Sequence, residues 1–311
     1  MGGYSSASRV AIIGTKYSRD LATKLASYLG VDYVEAEYKE FPDGEIYVRV
    51  PGDKLADIKK GFVVATGYPN PSNRLVELLL VVEALRGLGV AYTTALLSYT
   101  PYARQDRRFL EGEPISIKIL LSYLSIAGID SLVVVDIHKP DSLRWFSGPS
   151  VNVYPARTFA DKIRELSRGR RELYVVAPDK GALWRAKRVA EEVGAPFDYL
   201  EKTRDRVSGE VEVKPRRLDV RDVDVVLVDD IISTGGTIAK AAGVLYSLGA
   251  SRVYVVATHC LLVGRALEKL ERAMVEKVVC SNSVVAMKNI QLVEYVDISR
   301  DVGEIIKKQY L

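Results

Sequence analysis

One stretch in the second half of the chain, VVLVDDIISTGGT at residues 225–237, constrains the possible fold most strongly. Its first four residues, 225–228, are aliphatic without a polar break, which is typical of a strand buried on both faces of a parallel sheet. Two carboxylates follow, and a loop of hydroxyl residues and glycines leads into residues 238–248. These last residues have helical apolar spacing and end at Gly249, a common helix stop. The order strand, acidic pair, loop and helix predicts an α/β fold.

The loop that follows the acidic pair has the composition of an anion-binding site. Backbone N–H groups at a helix start attract negative charge, and glycines let a phosphate approach closely. The two aspartates lie about one sugar ring away and suit polyol hydroxyls or a hydrated Mg²⁺. The chain contains no nucleotide P-loop pattern, so a sugar phosphate is the predicted ligand, and a tight acidic turn without a ligand is the alternative. The predicted binding residues are Asp229, Asp230, Ser233, Thr234, Gly235, Gly236 and Thr237.

Length and composition narrow the class of protein. A chain of 311 residues with 48% hydrophobic content can form two domains, each with its own core. The net charge of +4 is too small to indicate a nucleic-acid partner. Charges such as Glu77 and Glu83 interrupt the apolar stretches, and the N-terminus lacks a signal-peptide pattern, so we expect a cytoplasmic protein without membrane contact. Cys260 and Cys280 are therefore expected to be buried thiols.

The two halves of the chain repeat one pattern. Residues 9–50 and 173–214 share the order strand, helix, glycine, charged stretch and a Gly-Glu-aliphatic sequence. The aliphatic run at 62–65 corresponds to 225–228, but the first copy has no acidic pair after it. Alternating aliphatic runs and amphipathic helices predict parallel sheets in both copies. The predicted domains are residues 1–148 and 149–311.

The first copy contains two polar segments with possible roles in binding. Residues 41–45, FPDGE, precede a β-branched strand and form either a plain turn or a surface where Phe41 stacks on a base. The loop that follows the aliphatic run at 95–97 contains Arg104 and Arg107, which could bind a polyphosphate in bidentate fashion. A solvated charged loop is the alternative. His138 follows a further buried run, and strand alternation predicts that Asp136 lies on the same side of the chain.

The second copy contains two more candidate segments. Asp179 and Gly181 stand at a strand-to-helix junction and could hold a pyrophosphate with its Mg²⁺, or Asp179 could simply cap the helix. Lys202 and Arg204 lie in a charged hairpin, where two cations spaced by one residue point the same way. That hairpin is either a solvated turn or a mobile lid over a reacting phosphate.

In combination, these segments resemble one family. The stretch 225–237 resembles the phosphoribosyl diphosphate (PRPP) binding motif of the type I phosphoribosyltransferase fold, and nearly the whole chain resembles the ribose-phosphate pyrophosphokinases, or PRPP synthases. The resemblance implies two tandem type I phosphoribosyltransferase-like domains, each a mostly parallel sheet flanked by helices, with the last segment packing back on the first domain. The motifs that support it are FPDGE at 41–45, YARQDRR at 102–108, GEPIS at 112–116, DIH at 136–138, PD at 178–179 with Gly181, EKTR at 201–204 and DDIISTGGT at 229–237.

The resemblance also implies roles for single residues. The first domain would bind ATP, with the 41–45 turn reaching the ATP of a neighbouring subunit in a homo-oligomer of at least two chains. Lys202 and Arg204 would be catalytic, and Arg204 would also contact ribose 5-phosphate. His138 and Asp179 would serve Mg²⁺. The residues implied in ATP binding are Phe41, Asp43, Gly44, Glu45, Arg104, Gln105, Asp106 and Arg107, and those of the pyrophosphate loop are Asp179, Lys180 and Gly181.

The reaction implied by the resemblance is transfer of the diphosphoryl group of ATP to the 1-hydroxyl of ribose 5-phosphate, giving PRPP and AMP. A phosphoribosyltransferase that consumes PRPP is one alternative, although it would normally need a single such domain and a base-specific hood. A non-catalytic regulatory subunit is another, and it would be expected to have lost the loop cations or the acidic pair. Lys202, Arg204, Asp229 and Asp230 are all present.

Overall fold

The computed structural model describes residues 9–167, 172–204, 211–214, 218–287 and 289–311. For residues 202–204 and 211–214 it describes the backbone alone. The chain divides into two compact units. The first contains the chain up to Val153 together with Ser283–Val285 and Ser299–Leu311, and the second contains Tyr154–Asn282 and Ala286–Ile298.

The first unit is an alternation of strands and helices around one sheet. Short 3₁₀ turns at Gly52–Leu55 and Pro140–Trp145 join some of its elements. Its elements in chain order are β1 (Arg9–Gly14), α1 (Arg19–Leu29), β2 (Asp32–Glu35), β3 (Glu37–Glu40), β4 (Ile46–Arg49), β5 (Ile58–Thr66), α2 (Pro71–Gly87), β6 (Tyr92–Tyr99), α3 (Ser116–Ile126), β7 (Ser131–Val135) and β8 (Ser150–Val153).

The second unit repeats this alternation, with one 3₁₀ turn at Lys180–Ala182. Its elements are α4 (Ala156–Ser167), β9 (Leu173–Ala177), α5 (Leu183–Val193), β10 (Phe197–Tyr199), β11 (Glu201–Arg204), β12 (Val211–Lys214), β13 (Asp224–Ile232), α6 (Gly236–Ser247), β14 (Arg252–Cys260), α7 (Ala266–Arg272), β15 (Lys277–Ser281) and β16 (Val293–Val296). The last helix, α8 (Ser299–Gln309), belongs to the first unit.

Each unit is built on a six-stranded sheet in which all neighbouring strands are parallel. The strand order is β2-β1-β5-β6-β7-β8 in the first unit and β10-β9-β13-β14-β15-β16 in the second. Both orders follow one topology, and each unit adds an antiparallel hairpin, β3–β4 or β11–β12, after its edge strand. The structure therefore confirms the predicted α/β class and the repeat of element order.

Strand β13 lies in the centre of the second sheet, between β9 and β14. Val225 and Leu227 pack into the core on one face, and Val226 and Val228 pack into the core on the other. All four side chains are fully buried. Because both faces are covered by helices, the strand has no polar side, and the prediction of a strand buried on both faces is confirmed.

The end of the chain packs within the first unit. Helix α8 contacts α1, and the Lys307 ammonium donates a hydrogen bond to the Tyr28 carbonyl at 3.3 Å. The ring of Tyr310 lies edge-on to the ring of Phe62, with 6.0 Å between centroids. The described part of the chain contains no helix that combines the length and apolar character needed to cross a bilayer.

The expectation of two buried thiols is wrong. Cys260 and Cys280 form a disulfide with their Cα atoms 5.8 Å apart. Cys260 ends β14 and Cys280 lies on β15, and these strands are neighbours in the parallel sheet. The two cysteines are separated by 20 residues in the sequence, so their proximity depends on the pairing of the strands rather than on any local pattern.

Candidate active site

The acidic pair lies where β13 reaches the carboxyl edge of the second sheet. Asp230 is buried, and the guanidinium of Arg185, from α5, lies 3.8 Å from its carboxylate. Asp229 is partly exposed, and its Oδ1 accepts a hydrogen bond from the Asp230 amide at 2.9 Å. Desolvation, followed by the charge of Asp230, raises the pKa of Asp229 well above its usual range, while Arg185 opposes the rise. Asp230 is therefore paired with the buried guanidinium of Arg185, whereas Asp229 is partly exposed at the edge of the sheet.

The loop at 233–237 is held through its carbonyl oxygens. The Ile232 carbonyl accepts from the amides of Leu261 and Leu262, and the Ser233 carbonyl accepts from the amide of Val263. The Lys269 ammonium donates to the Thr234 carbonyl at 3.1 Å. The carbonyls of Ser233 and Thr234 thus accept from protein donors, and the first amides of α6 lack helical acceptors, as at any helix start.

Gly235 allows this loop to approach its surroundings closely. Its φ of 73° lies in the left-handed region, and it forms the N-cap of α6. A Cβ at this position would lie 3.0 Å from the Ala266 carbonyl oxygen of α7. A side chain would therefore bring both backbone strain and a steric clash. The adjoining Gly236 has open space, with the hydroxyl of Thr234 4.0 Å from an added Cβ.

The turn after β9 lies at the same edge, because β9 pairs with β13 in parallel. Asp179 caps this turn, and its Oδ1 accepts from the amides of Gly181 at 2.8 Å and Ala182 at 3.3 Å. The charge of Asp179 also contributes to the raised pKa of Asp229. The structure thus brings the predicted pyrophosphate turn and the acidic pair together, with Asp179 in the capping role that the sequence left open.

The predicted cationic hairpin is present as β11–β12. Lys202 pairs with Val213 and Arg204 with Val211 in an antiparallel register. The hairpin follows β10, which pairs with β9. The side chains of Lys202 and Arg204 lie outside the described atoms, so their assignment stays a prediction.

In the first unit, the predicted ATP-binding turn closes the β3–β4 hairpin. The amide of Phe41 donates to the Glu45 carbonyl at 2.8 Å, and the amide of Glu45 donates to Asp43 Oδ1 at 3.1 Å. Gly44 has a φ of 91°, which explains the glycine. Phe41 is exposed, with the Lys39 ammonium 5.0 Å from its ring centroid. The turn thus presents an aromatic face and two exposed carboxylates.

The arginine-rich loop follows β6 at the carboxyl edge of the first sheet. Arg104 and Arg107 are exposed, and the guanidinium of Arg107 lies 4.9 Å from the ring centroid of Phe109. Gln105 is partly buried, and its side-chain oxygen accepts from the Ser116 hydroxyl at 2.5 Å. Asp106 is partly exposed. The two guanidinium groups face solvent, where a polyphosphate could reach them.

The predicted alternation of Asp136 and His138 is wrong. Strand β7 ends at Val135, and Asp136 has a φ of 42°, in the left-handed region. The amide of the next residue, Ile137, donates to Asn152 Oδ1 at 2.9 Å instead of continuing a strand ladder. Asp136 is fully buried, whereas His138 is partly exposed. The two side chains therefore have different environments because the backbone turns between them.

The donors at the sheet edge fit Mg²⁺ in chemical type. Mg²⁺ prefers oxygen ligands and is usually held by one or two carboxylates together with substrate phosphates. Asp179, Asp229 and Asp230 supply carboxylates at the edge of the second sheet, whereas the imidazole of His138 is an unusual Mg²⁺ ligand. Within the described ranges, no three His, Cys, Asp or Glu side chains form a cluster suited to a metal.

Sequence reasoning did not find Arg185 and Lys269, which support the site. Arg185 is fully buried although it carries a charge, and it lies on the buried stripe of α5 with Ala186, Val189 and Ala190. A charge on the apolar stripe of a helix is a usable signal, because such a group needs a buried partner. For Lys269, at the C-terminal half of α7, the sequence contains no comparable signal.

Comparison with known proteins places this architecture in a family. Residues 10–128 match the model of the N-terminal domain of ribose phosphate pyrophosphokinase, and residues 152–296 match that of the phosphoribosyl transferase domain. A ribose-phosphate pyrophosphokinase of Saccharolobus solfataricus is 44% identical over 274 residues, covering 88% of this chain and 92% of the relative. The chain belongs to the ribose-phosphate pyrophosphokinase family.

Other members of the ribose-phosphate pyrophosphokinase family support the same relationship. The enzyme of Aeropyrum pernix is 39% identical over 284 residues, covering 91% of this chain and 90% of the relative. Among solved structures, a phosphoribosylpyrophosphate synthetase from Mycobacterium smegmatis superposes with a TM-score of 0.83 at 28% identity. It covers 96% of this chain and 98% of that chain. The two tandem domains are thus a property of the family.

Proposed function

We propose that the synthesis of PRPP is divided between an ATP-binding domain, residues 1–148, and a ribose 5-phosphate-binding domain, residues 149–311, of which the last helix belongs to the first structural unit. The reaction follows from the family: the diphosphoryl group of ATP is transferred to the 1-hydroxyl of ribose 5-phosphate, which gives PRPP and AMP. The observation that supports the division is the contrast at the two sheet edges. The second unit has the acidic pair and the donor loop, and the first has the exposed aromatic turn and the arginines.

Ribose 5-phosphate would lie along the carboxyl edge of the second sheet. Its 5-phosphate would take the amides and hydroxyls of residues 233–237, and its ring hydroxyls would donate to Asp229 and Asp230. The carbonyl-side anchoring of the loop supports this arrangement, because the donors are held in place before the ligand arrives. The turn at Asp179, Lys180 and Gly181 would receive the diphosphate.

ATP would bind through the first unit. Phe41 would stack on the adenine, and Asp43 and Glu45 would accept hydrogen bonds from its amino group. Arg104 and Arg107 would neutralise the polyphosphate, with Gln105, Asp106 and Gly44 completing the contacts. As a second subunit's ATP is the proposed target of the 41–45 turn, the enzyme would act as a homo-oligomer of at least two chains.

Charge and alignment account for the proposed chemistry. The anomeric hydroxyl attacks the β-phosphorus of ATP and AMP leaves, so the protein must align two anions and neutralise the moving group. Lys202 and Arg204 would place positive charge on the reacting phosphates, from a strand register that sets them two residues apart. Asp179 and His138 would each serve an Mg²⁺ site, and Mg²⁺ bound with the substrate phosphates would supply Lewis-acid charge.

Residues of this chain argue against the two other candidate functions. A phosphoribosyltransferase that uses PRPP would need one such domain, and this chain has two. A regulatory subunit would be expected to lack the loop cations or the acidic pair, and all four residues are present. The proposed cellular location is the cytoplasm.

The deciding experiment incubates the protein with ATP, Mg²⁺ and ribose 5-phosphate and follows the products by phosphorus NMR. We expect AMP and PRPP in equal amounts. ADP as the nucleotide product would refute diphosphoryl transfer, and no turnover would favour the regulatory function. Binding of ribose 5-phosphate, measured by calorimetry, should be lost in Asp229→Ala and kept in Asp219→Ala, which removes an exposed carboxylate of the same unit.

A further inference from the structure

A charged cluster lies under the β3–β4 hairpin in the first unit. It consists of Lys16, Tyr17, Tyr38, Arg74 and Glu77. Arg74 exposes 3% of its surface and Glu77 exposes 1%. Burying an ion costs several kcal/mol even after relaxation, and a buried pair offsets this cost only with good geometry and further hydrogen bonds. An ion pair that is buried despite this cost indicates a role other than packing.

Glu77 connects helix α2 to the turn after β1. Its carboxylate forms an ion pair with Arg74, one helical turn earlier. Its Oε1 also accepts a hydrogen bond from the Lys16 amide at 2.8 Å. Burial raises the pKa of Glu77, and the Lys16 amide and Arg74 oppose this rise. The first turns of α2 are thus tied to the edge where the first sheet ends.

Arg74 connects the same helix to the hairpin. It donates a hydrogen bond from Nη2 to the Tyr38 hydroxyl at 2.8 Å. Its guanidinium carbon lies 4.7 Å from the ring centroid of Tyr38 and 4.8 Å from that of Tyr17. The Lys16 ammonium lies 4.1 Å from the Tyr38 centroid. Tyr38 is therefore held by two cations at its ring and by two hydrogen bonds at its hydroxyl, which accepts from Arg74 and donates to Glu40 at 3.0 Å.

The hairpin depends on such contacts for its orientation. A two-stranded hairpin alone is marginally stable, and β3–β4 is not part of the six-stranded sheet. Tyr38 pairs across the hairpin with Val48, which packs against the core, so one face of the hairpin is fixed on α2. The tip at Phe41 is three residues beyond Tyr38, roughly 10 Å along a strand. A small tilt at Tyr38 would therefore move the tip noticeably.

We propose that Tyr38, Arg74 and Glu77 are positioning residues for ATP. They hold the hairpin at a fixed angle and so place the 41–45 turn where it receives the nucleotide. This inference rests on the proposed assignment of that turn to ATP. The three residues act through the hairpin and touch no substrate themselves, so their loss weakens ATP binding and leaves ribose 5-phosphate binding unchanged.

The test measures KM for each substrate in four variants. Arg74→Met with Glu77→Leu replaces the ion pair by apolar groups of similar volume, a change that folded proteins often tolerate. Tyr38→Phe removes one hydroxyl. Phe41→Ala reports the role of the tip itself. Arg252→Met with Asp224→Leu is the matched control. This partly buried ion pair of the second unit joins the first residues of β13 and β14, at the ends of these strands that are far from the acidic pair.

We expect the double variant at residues 74 and 77 to raise KM for ATP about tenfold, with KM for ribose 5-phosphate and kcat nearly unchanged. Tyr38→Phe should raise KM for ATP about threefold. The control double variant should not change KM for one substrate more than KM for the other. An unchanged KM for ATP in Tyr38→Phe and in the folded double variant, with a raised value in Phe41→Ala, would overturn this inference and leave the proposed function intact.

Two further outcomes are also decisive. If Phe41→Ala leaves KM for ATP unchanged, the turn does not bind ATP, and both the inference and that part of the proposed function fail. If the double variant does not fold, Tyr38→Phe decides alone, because it keeps the ring and its contacts with both cations. Equal rises in both KM values would indicate a general structural role and would contradict the inference.

Discussion

The first and second units have the same sheet and differ at the ends of their central strands. Strand β5 ends with Ala65 and Thr66 and has no carboxylate, whereas β13 contains Asp229 and Asp230 before its loop. The two strands have equivalent positions in their sheets, with β5 between β1 and β6 and β13 between β9 and β14. A duplicated frame can therefore carry two different ligands, because ligand contacts depend on a few residues beyond each strand.

The turn after β1 in the first unit and the turn after β9 in the second unit also differ. In the second unit, Asp179 caps its own turn and accepts from Gly181 and Ala182. In the first, the Lys16 amide donates to Glu77, which comes from α2. Both turns have local hydrogen bonds, since the Thr15 amide of the first donates to the Ser18 hydroxyl at 3.0 Å, but the first is tied in addition to a helix that also holds the hairpin. In the unit without the acidic pair, the equivalent turn therefore stabilises the position of α2.

The hairpins give the third contrast, and they lead to the largest predicted effect. Lys202→Ala, in β11, should lower kcat by about 1,000-fold with little change in KM for ribose 5-phosphate, because its charge is needed in the transition state. Phe41→Ala, at the tip of β3–β4, should instead raise KM for ATP. Steady-state kinetics with both substrates separates the two. If both variants showed the same KM effect, the hairpins would share one role.

The disulfide belongs to the second unit alone, since the chain has two cysteines. Replacing both by alanine should lower the free energy of unfolding by about 3 kcal/mol, as expected for a closed loop of this length. Guanidinium titrations with and without a reductant test this. The parent protein should lose the same amount when reduced, and the alanine variant should not respond to reductant. A parent protein insensitive to reductant would contradict the pairing.

Gly235 distinguishes the ligand loop of the second unit from a simple helix start. Gly235→Ala should destabilise the protein by about 1–2 kcal/mol, because a Cβ is disfavoured at a positive φ. The displaced loop should also bind ribose 5-phosphate more weakly. Gly243→Ala, in the middle of α6 with open space around it, is the matched control and should be neutral or stabilising. Thermal unfolding and calorimetry of both variants measure the difference.

Asp229 should make the stability of the ligand-free enzyme depend on pH. Its pKa is raised in the folded state, so the folded protein binds this proton more tightly than the unfolded chain does. That contribution is complete below the ordinary aspartate pKa of about 3.9 and is lost as the pH rises through the raised value. Asp229→Asn should therefore be more stable than the parent at pH 8, with a difference that shrinks towards pH 4.

A matched control and a clear contrary result accompany this last prediction. Asp219→Asn, which removes an exposed carboxylate of the same unit, is the control. Denaturant titrations of the three proteins from pH 4 to pH 8 provide the comparison. If Asp229→Asn were destabilising at pH 8, desolvation and the nearby charge of Asp230 would not disfavour the charged form of Asp229, and the account of the acidic pair would be wrong.

Local patterns in the sequence were sufficient for most of the fold. The run 225–228, the turn glycines and the repeated strand-helix order predicted β13, α6, the hairpin that contains Lys202 and Arg204, and the parallel sheets, because each pattern depends on residues close together in the sequence. The positions of the 41–45 turn, the arginine loop and the Asp179 junction were found for the same reason. Their ligands stay proposals.

Contacts between distant parts of the chain were beyond the sequence. The pairing of Cys260 with Cys280, the partnership of Arg185 with Asp230 and the link from Arg74 to Tyr38 all join different elements. Alternation also failed at Asp136, where the backbone leaves the strand.

By itself, the sequence determined the α/β class, the duplication and the position of the glycine-rich loop after β13, because hydrophobic period and turn chemistry act over short distances. The tertiary structure alone decided which charges are buried and paired, and hence which aspartate is partly exposed at the sheet edge and how the β3–β4 hairpin is held. The reason is physical: the energy of a buried charge depends on the groups around it in space, and strand pairing brings those groups together from far along the chain.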